Sequence, residues 1–362
     1  MTPAGSEEVR FSQRGPLGVI TLTRPKALNA LTLAMIRLIH PALQAWAGDT
    51  SVRAVVIEGE GERAFCAGGD VRAVWEAGKA GHRPGEPGQM TADFFREEYR
   101  LNHLIHHYSK PYIALIDGIT MGGGVGLSIH GRVRIATERT LFAMPETAIG
   151  LFPDVGGSWF LPRLPGGIGL YLALTGERLK APDCLYAGIA THWTPSGRLP
   201  EIVDALERAD WDKGLAGLRR VLSPLTGHPD EAGALPALRP AIDRCFAGKA
   251  SVEGVIAALE HEASDWAKAT LATLAKRSPT SMKVAFEELK RGAAQSFDQS
   301  MQMEYRMAQA AMRPGSDFYE GIRAVLIDKD HAPKWSPASL AEVGDALVES
   351  YFAPLGGNEL TF

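Results

Sequence analysis

Met121-Gly122-Gly123-Gly124-Val125-Gly126-Leu127-Ser128 comes shortly after the β-branched run Tyr112–Ile116 (YIALI) and opens an apolar helical stretch. A glycine-rich turn that feeds a helix start exposes backbone N–H groups with no partner inside the helix. The helix dipole adds to them, so such a turn suits a developing negative charge. Outward from this stretch, Gly18–Thr23 (GVITLT) and Val52–Ile57 (VRAVVI) are short strand signals bounded by turn residues. Between them, Leu31, Met35, Leu38, Ala42 and Trp46 fall at helical spacing and predict a helix over Thr32–Trp46. Further strands are predicted at Val133–Ala136 and Leu141–Ala143. Strands that alternate with helices argue for parallel sheet and an α/β fold.

The strand signals fade after about Trp193, and from Leu199 onward the chain reads as helices broken by Pro- and Gly-rich turns. One boundary is expected near residue 200, between a catalytic α/β core (residues 1–200) and a helical C-terminal region (201–362). Gly78–Gly88 (GKAGHRPGEPG) reads as an exposed loop. Composition is that of an ordinary globular protein, with 45% hydrophobic and 22% charged residues among 362. A formal charge of −4 gives no sign of nucleic acid or an anionic membrane as partner. The three scattered cysteines, Cys66, Cys184 and Cys245, fit free thiols in a reducing compartment. No run of 18 apolar residues is present, and the start carries Glu7 and Glu8 without an apolar core. The expected setting is therefore the cytoplasm.

Two more glycine-centred segments carry chemistry. Ala64-Phe65-Cys66-Ala67-Gly68-Gly69-Asp70 follows the strand at Val52–Ile57, and Met144-Pro145-Glu146 leads through Gly150 and Pro153 to Asp154-Val155-Gly156-Gly157. Pro145 suits a helix start and puts Glu146 in the first turn, where a carboxylate is favoured. Two readings of Asp154 stand side by side: an N-cap for the next helix, or a functional acid. Neither a GxGxxG fingerprint nor a GK[ST] phosphate loop is completed by these glycines.

In this order and spacing the three segments resemble the crotonase (enoyl-CoA hydratase/isomerase) superfamily, from about Gly18 to Trp193, with Arg24-Pro25-Lys26-Ala27-Leu28-Asn29-Ala30-Leu31 as a further match. The resemblance implies a spiral of repeated strand-strand-helix units with a helical C-terminal part. It also implies an oxyanion hole made by the backbone N–H groups of Gly69 and Gly123 over a thioester carbonyl. Hydratases of the superfamily carry one glutamate at the position of Glu146 and a second at that of Gly126, which here has no side chain. Two-carboxylate hydration is thus disfavoured. Gly122–Gly131, Met144–Gly157 and the run Phe318–Asp330 with Pro333-Lys334-Trp335 look like the 3-hydroxyisobutyryl-CoA hydrolase branch instead.

Along the predicted helix Phe94–Tyr108, Glu98 falls on the apolar stripe of Phe94, Leu101, Ile105 and Tyr108. An inward carboxylate is costly unless paired or functional, so Glu98 is either a salt-bridged structural acid or a functional one. The resemblance assigns it a substrate contact. His103, His106 and His107 share the opposite face with Arg96 and Arg100, which reads as a solvated face rather than a metal site. Ser128 and His130 lie two apart on a helix and outside any GxSxG elbow, so they do not read as an esterase pair.

The resemblance therefore implies hydrolysis of a short-chain 3-hydroxyacyl-CoA thioester, in the context of valine degradation. It also implies that Glu146 is the key carboxylate, either attacking the carbonyl or activating water. Asp154 orients water or the acyl hydroxyl, and Glu98 contacts the acyl end. Coenzyme A enters as part of the substrate; no separate cofactor and no metal are expected, and a homo-oligomer is allowed. Two other activities compete: a single-base enoyl-CoA isomerase or hydratase, and a non-catalytic acyl-CoA-binding protein.

Overall fold

Each predicted strand forms within two residues of its expected place, and the strands come in pairs. In the computed structural model, which describes residues 7–362, a first pair of long strands is followed by three units in which a long strand leads to a short one and then to helix. The long strands are β1 (Val9–Arg14), β2 (Leu17–Leu22), β3 (Ala54–Gly59), β5 (Tyr112–Ile116) and β7 (Val133–Ala136); together with β10 (His192–Trp193) they build a six-stranded sheet in the order β1-β2-β3-β5-β7-β10. The short strands β4 (Ala64–Cys66), β6 (Ile119–Met121) and β8 (Leu141–Ala143) join β9 (Leu179–Lys180) in a four-stranded sheet, β4-β6-β8-β9. Apart from the β1–β2 and β8–β9 pairs, every pairing for which a register is defined is parallel. This is the crotonase-like α/β spiral of strand-strand-helix units that the sequence implied.

Parallel strands need helical crossovers on their faces and so read as continuous apolar runs. All residues of β2 and β5 are buried accordingly. Helix α1 (Leu33–Gly48) starts at Thr32, whose hydroxyl accepts the Met35 N–H, and buries Met35, Ile36, Ile39, Ala42, Leu43 and Trp46. A Cβ on Gly18 of β2 would lie 2.6 Å from the Trp46 ring, so that glycine lets the helix seat on the sheet.

The chain forms two compact units, each drawn from three stretches: residues 1–69, 101–142 and 178–236 in the first, and 70–100, 143–177 and 237–362 in the second. The sequence reading instead placed one boundary near residue 200. The departure has a packing cause. Helices Leu199–Glu207 and Gly214–Leu222 send Ile202, Val203, Leu206, Leu218 and Leu222 into one core with Leu17, Val19, Val56, Ile113 and Leu115 of the large sheet. Those helices complete the first unit, although they follow the last strand. The second unit is largely helical, with α2 (Val71–Lys79), the N-terminal part of α3 (Met90–His106), and the long helices Pro279–Gly292 and Phe297–Ala311. Among the described residues no helix is long and apolar enough to cross a membrane.

Candidate active site

Two glycine turns stand side by side in the first unit. Strands β4 and β6 pair in parallel, with Cys66 opposite Thr120, so the turns that follow them emerge at the same end of the small sheet. After β6, Gly122 adopts φ 45° and ψ −119°, open in practice to glycine alone. It opens helix α4 (Gly123–Gly126). After β4, Gly68 takes φ 125°, and its carbonyl accepts the Leu31 N–H at 2.8 Å. A Cβ at Gly124 would sit 2.1 Å from the Cys66 carbonyl oxygen, which shows how closely the two backbones approach. Gly123 is the first residue of α4, so its N–H lies ahead of the helical ladder. Among the described residues no acceptor meets the N–H of Gly123 or of Gly69. Ser128 is no nucleophile here: its hydroxyl donates to the Gly124 carbonyl at 2.8 Å. His103, His106 and His107 are half-buried to exposed, and their rings lie against one another, with centroids of 103 and 107 at 4.5 Å and of 106 and 107 at 4.9 Å.

The carboxyl groups gather in the second unit. Glu146 is the first residue of a 3-10 turn, Glu146–Ile149, with Pro145 as its cap. Gly150 ends the turn at φ 73°. This turn is seated by the C-terminal run singled out in the sequence. A Cβ on Gly150 would meet the Asp317 backbone at 2.2 Å, and one on Gly321 would meet the Ile149 backbone at 2.3 Å. The Arg323 guanidinium ties that run together by pairing with Glu320, Asp328 and Asp330.

Asp154 does not cap a helix. Helix α5 (Gly157–Phe160) has Gly156 at its cap position, and the Asp154 side chain accepts the Tyr99 O–H at 2.9 Å instead. Val155, next in line, has φ 53°, an outlier for a β-branched residue; strain of that kind persists where surroundings hold it, often at functional sites. The N–H groups at the start of α5 are met by Glu304, which accepts from Gly156 N at 2.8 Å, Ser158 N at 3.0 Å and the Ser158 hydroxyl.

Glu98 lies on the buried stripe of α3 as expected, and among the described residues its Oε1 has no hydrogen-bond partner. The stripe is wider than the periodicity suggested, for Phe95, Tyr99 and Asn102 are also buried. Glu98, Glu146, Asp154, Glu288 and Glu304 are all buried, and among the described residues none pairs with Lys, Arg or His. Burial first, and then the Asp154 charge, holds Glu98 and Glu146 well above the usual carboxylate range. Asp154 is itself pushed up to about 7 by burial, with the Tyr99 hydrogen bond pulling the other way. Glu304 is raised by burial to about 8 despite its three donors. Glu288 is raised in the same way, by burial first and then by the Glu304, Asp154 and Glu146 charges. Tyr99, Glu288 and Glu304 were missed in the sequence; Tyr99 had a partial signal, lying four residues after Phe95 and so on its face of the helix.

The enoyl-CoA hydratase/isomerase family model matches residues 17–352. The 3-hydroxyisobutyryl-CoA hydrolase, mitochondrial, of Gallus gallus is 51% identical over 356 residues, 98% of this chain and 90% of the relative. The Homo sapiens protein of the same name is 47% identical, covering 99% of this chain and 91% of its own length. Among solved structures, a carnitinyl-CoA dehydratase from Mycobacterium thermoresistibile superposes with TM-score 0.89 at 41% identity, covering 99% of both chains. An enoyl-CoA hydratase from Rhodobacter sphaeroides 2.4.1 gives TM-score 0.88 at 42% identity, with coverage of 98% and 100%. The relatives' mitochondrial setting overturns the cytoplasmic expectation. That expectation came from composition and the first residues, and an address segment need not be part of the fold, so neither reports the compartment.

Proposed function

The chain belongs to the enoyl-CoA hydratase/isomerase family, and we propose that it hydrolyses 3-hydroxyisobutyryl-CoA to 3-hydroxyisobutyrate and coenzyme A. The observation that carries this reading is near-full-length identity of about one half to hydrolases of that name. The local chemistry of both units supports it. Hydrolysis needs donors for an oxyanion and a carboxylate able to act on the carbonyl or on water. In the proposal, the N–H groups of Gly69 and Gly123 receive the thioester oxygen as its charge develops. Asp154 and Glu146 form a pair that holds one proton between them near neutral pH. With that proton on Asp154, the Glu146 carboxylate is free to act. By one route that carboxylate attacks the carbonyl and expels the thiolate of coenzyme A, leaving a mixed anhydride that water then hydrolyses to the free acid and Glu146. By the other it takes a proton from a water whose oxygen attacks the carbonyl as the C–S bond breaks and the thiolate leaves. A thiolate is a good leaving group, the parent pKa being about 8.5 for a free cysteine thiol. Asp154 orients the water or the acyl hydroxyl, and Glu98 contacts the acyl end. Coenzyme A is carried in and out as part of the substrate, and a homo-oligomer remains part of the proposal.

One observation favours a second reading. The two solved relatives with TM-scores of 0.89 and 0.88 carry dehydratase and hydratase names. Hydration across a double bond with two glutamates is opposed by Gly126, buried in α4 where a second glutamate is required. Thiol release from a panel of acyl-CoA thioesters, run beside crotonyl-CoA hydration, tests the choice. Fastest thiol release with 3-hydroxyisobutyryl-CoA is expected; brisk hydration without thiol release would refute the hydrolase reading.

A further inference from the structure

Glu288, on the helix Pro279–Gly292, is fully buried, and among the described residues neither of its carboxyl oxygens has a hydrogen-bond partner. The other charged side chains of that helix are engaged elsewhere: Lys283 with Glu253, and Lys290 and Arg291 with Glu287. Among the described residues, the groups whose charges weigh on Glu288 are acids: Glu304 from the helix Phe297–Ala311, Asp154 from the turn before α5, and Glu146 from the 3-10 turn. Ser300, one helical turn before Glu304 and on its face, also has a buried hydroxyl without a partner among the described residues. A sealed carboxyl with neither cation nor donor cannot keep a charge among three other acids. In its neutral form such a carboxyl has an O–H that needs an acceptor. Glu304 already accepts three hydrogen bonds, whereas Oε2 of Glu146 is buried and has no hydrogen-bond partner among the described residues.

We propose that Glu288 is a positioning residue: it stays a neutral carboxylic acid and donates a hydrogen bond into the Asp154–Glu146 pair, directly or through a buried water, so holding the one negative charge that the reaction uses. The proposal rests on the reading of that pair as the reacting carboxyls. A neutral donor makes a definite demand on two substitutions. Glu288→Gln keeps an N–H donor and cannot ionise, so kcat and the acid limb of its pH profile should stay within about two-fold of wild type. Glu288→Leu removes the donor; the acid limb should move up by about one pH unit, the scale of one hydrogen bond to a charged group. At neutral pH kcat should then fall about ten-fold, recover at higher pH, and leave KM unchanged.

Infrared difference spectra, recorded across pH on the full chain without substrate, read the same group independently. The protonated-carboxyl band present at neutral pH should weaken in Glu288→Gln and persist in the control Glu287→Gln. A downward shift of the acid limb in Glu288→Gln would overturn the proposal, because it would show that Glu288 carries charge. So would a uniform loss of kcat across pH in Glu288→Leu, the mark of packing alone, or an unchanged infrared band in Glu288→Gln. Absence of thiol release by the wild-type protein would refute the hydrolase reading instead, and the infrared result would still decide the state of Glu288.

Discussion

Replacing Gly124 by alanine puts a methyl carbon 2.1 Å from the Cys66 carbonyl oxygen and 2.9 Å from the Cys66 carbonyl carbon. Both neighbours are backbone, so no side-chain rotation relieves the contact. Carbon-to-oxygen contacts of this type settle at about 3.3 Å, so the two turns must part by about 1.2 Å from the 2.1 Å starting point. The turns that separate are those of Gly68-Gly69 and Gly122-Gly123, which supply the proposed oxyanion donors. A misplacement of about 1 Å is enough to cost ~10²-fold in rate, and full loss of one donor costs ~10²–10³ in kcat. The expected outcome for Gly124→Ala is a fall in kcat of about 10²-fold, with affinity for free coenzyme A changed only a few-fold, because free coenzyme A has no carbonyl to place. Stopped-flow thiol release gives kcat, calorimetry gives the affinity, and circular dichroism establishes that the mutant folds. A folded mutant with kcat within about three-fold of wild type would refute the idea that this backbone approach sets the donors.

Four further outcomes are expected. Glu146→Gln should fold normally and lower kcat by at least ~10²-fold in the thiol-release assay. Tyr99→Phe removes the O–H that donates to Asp154 and pulls its pKa down; the acid limb of kcat should move up by about one unit, with alkaline kcat near wild type. Gly126→Glu restores a hydratase-like carboxylate in a helix with every residue buried; thiol release should collapse without brisk hydration of crotonyl-CoA, as both assays run in parallel would read. Asp154 is raised from 3.8 to about 7 on folding, so its contribution to stability is complete below the unfolded value and is lost as pH rises toward about 7. The melting temperature should therefore drop across that window, and Asp154→Asn should flatten the drop in a calorimetric pH series.

The residues of this chain determine its elements by themselves. Helix α1 follows from Thr32 as a cap and from apolar spacing, and β5 and β7 from β-branched runs between turn residues. The turns at Gly68-Gly69 and Gly122-Gly123 are legible because a positive φ is a local demand that glycine alone meets cheaply. Glu98 was legible for a similar reason, since one helix face is fixed by periodicity. Asp154 shows the limit: as a sequence it reads equally as a cap or a functional acid, and only tertiary packing gives the cap to Glu304, 148 residues beyond Gly156. The same packing buries Glu288 and Glu304 among the other acids and raises their proton affinity. Burial and like-charge repulsion depend on groups that meet only when distant segments fold together, and no local pattern encodes them. Packing also assigned the helices after Leu199 to the sheet they cover, whereas composition alone suggested a separate region.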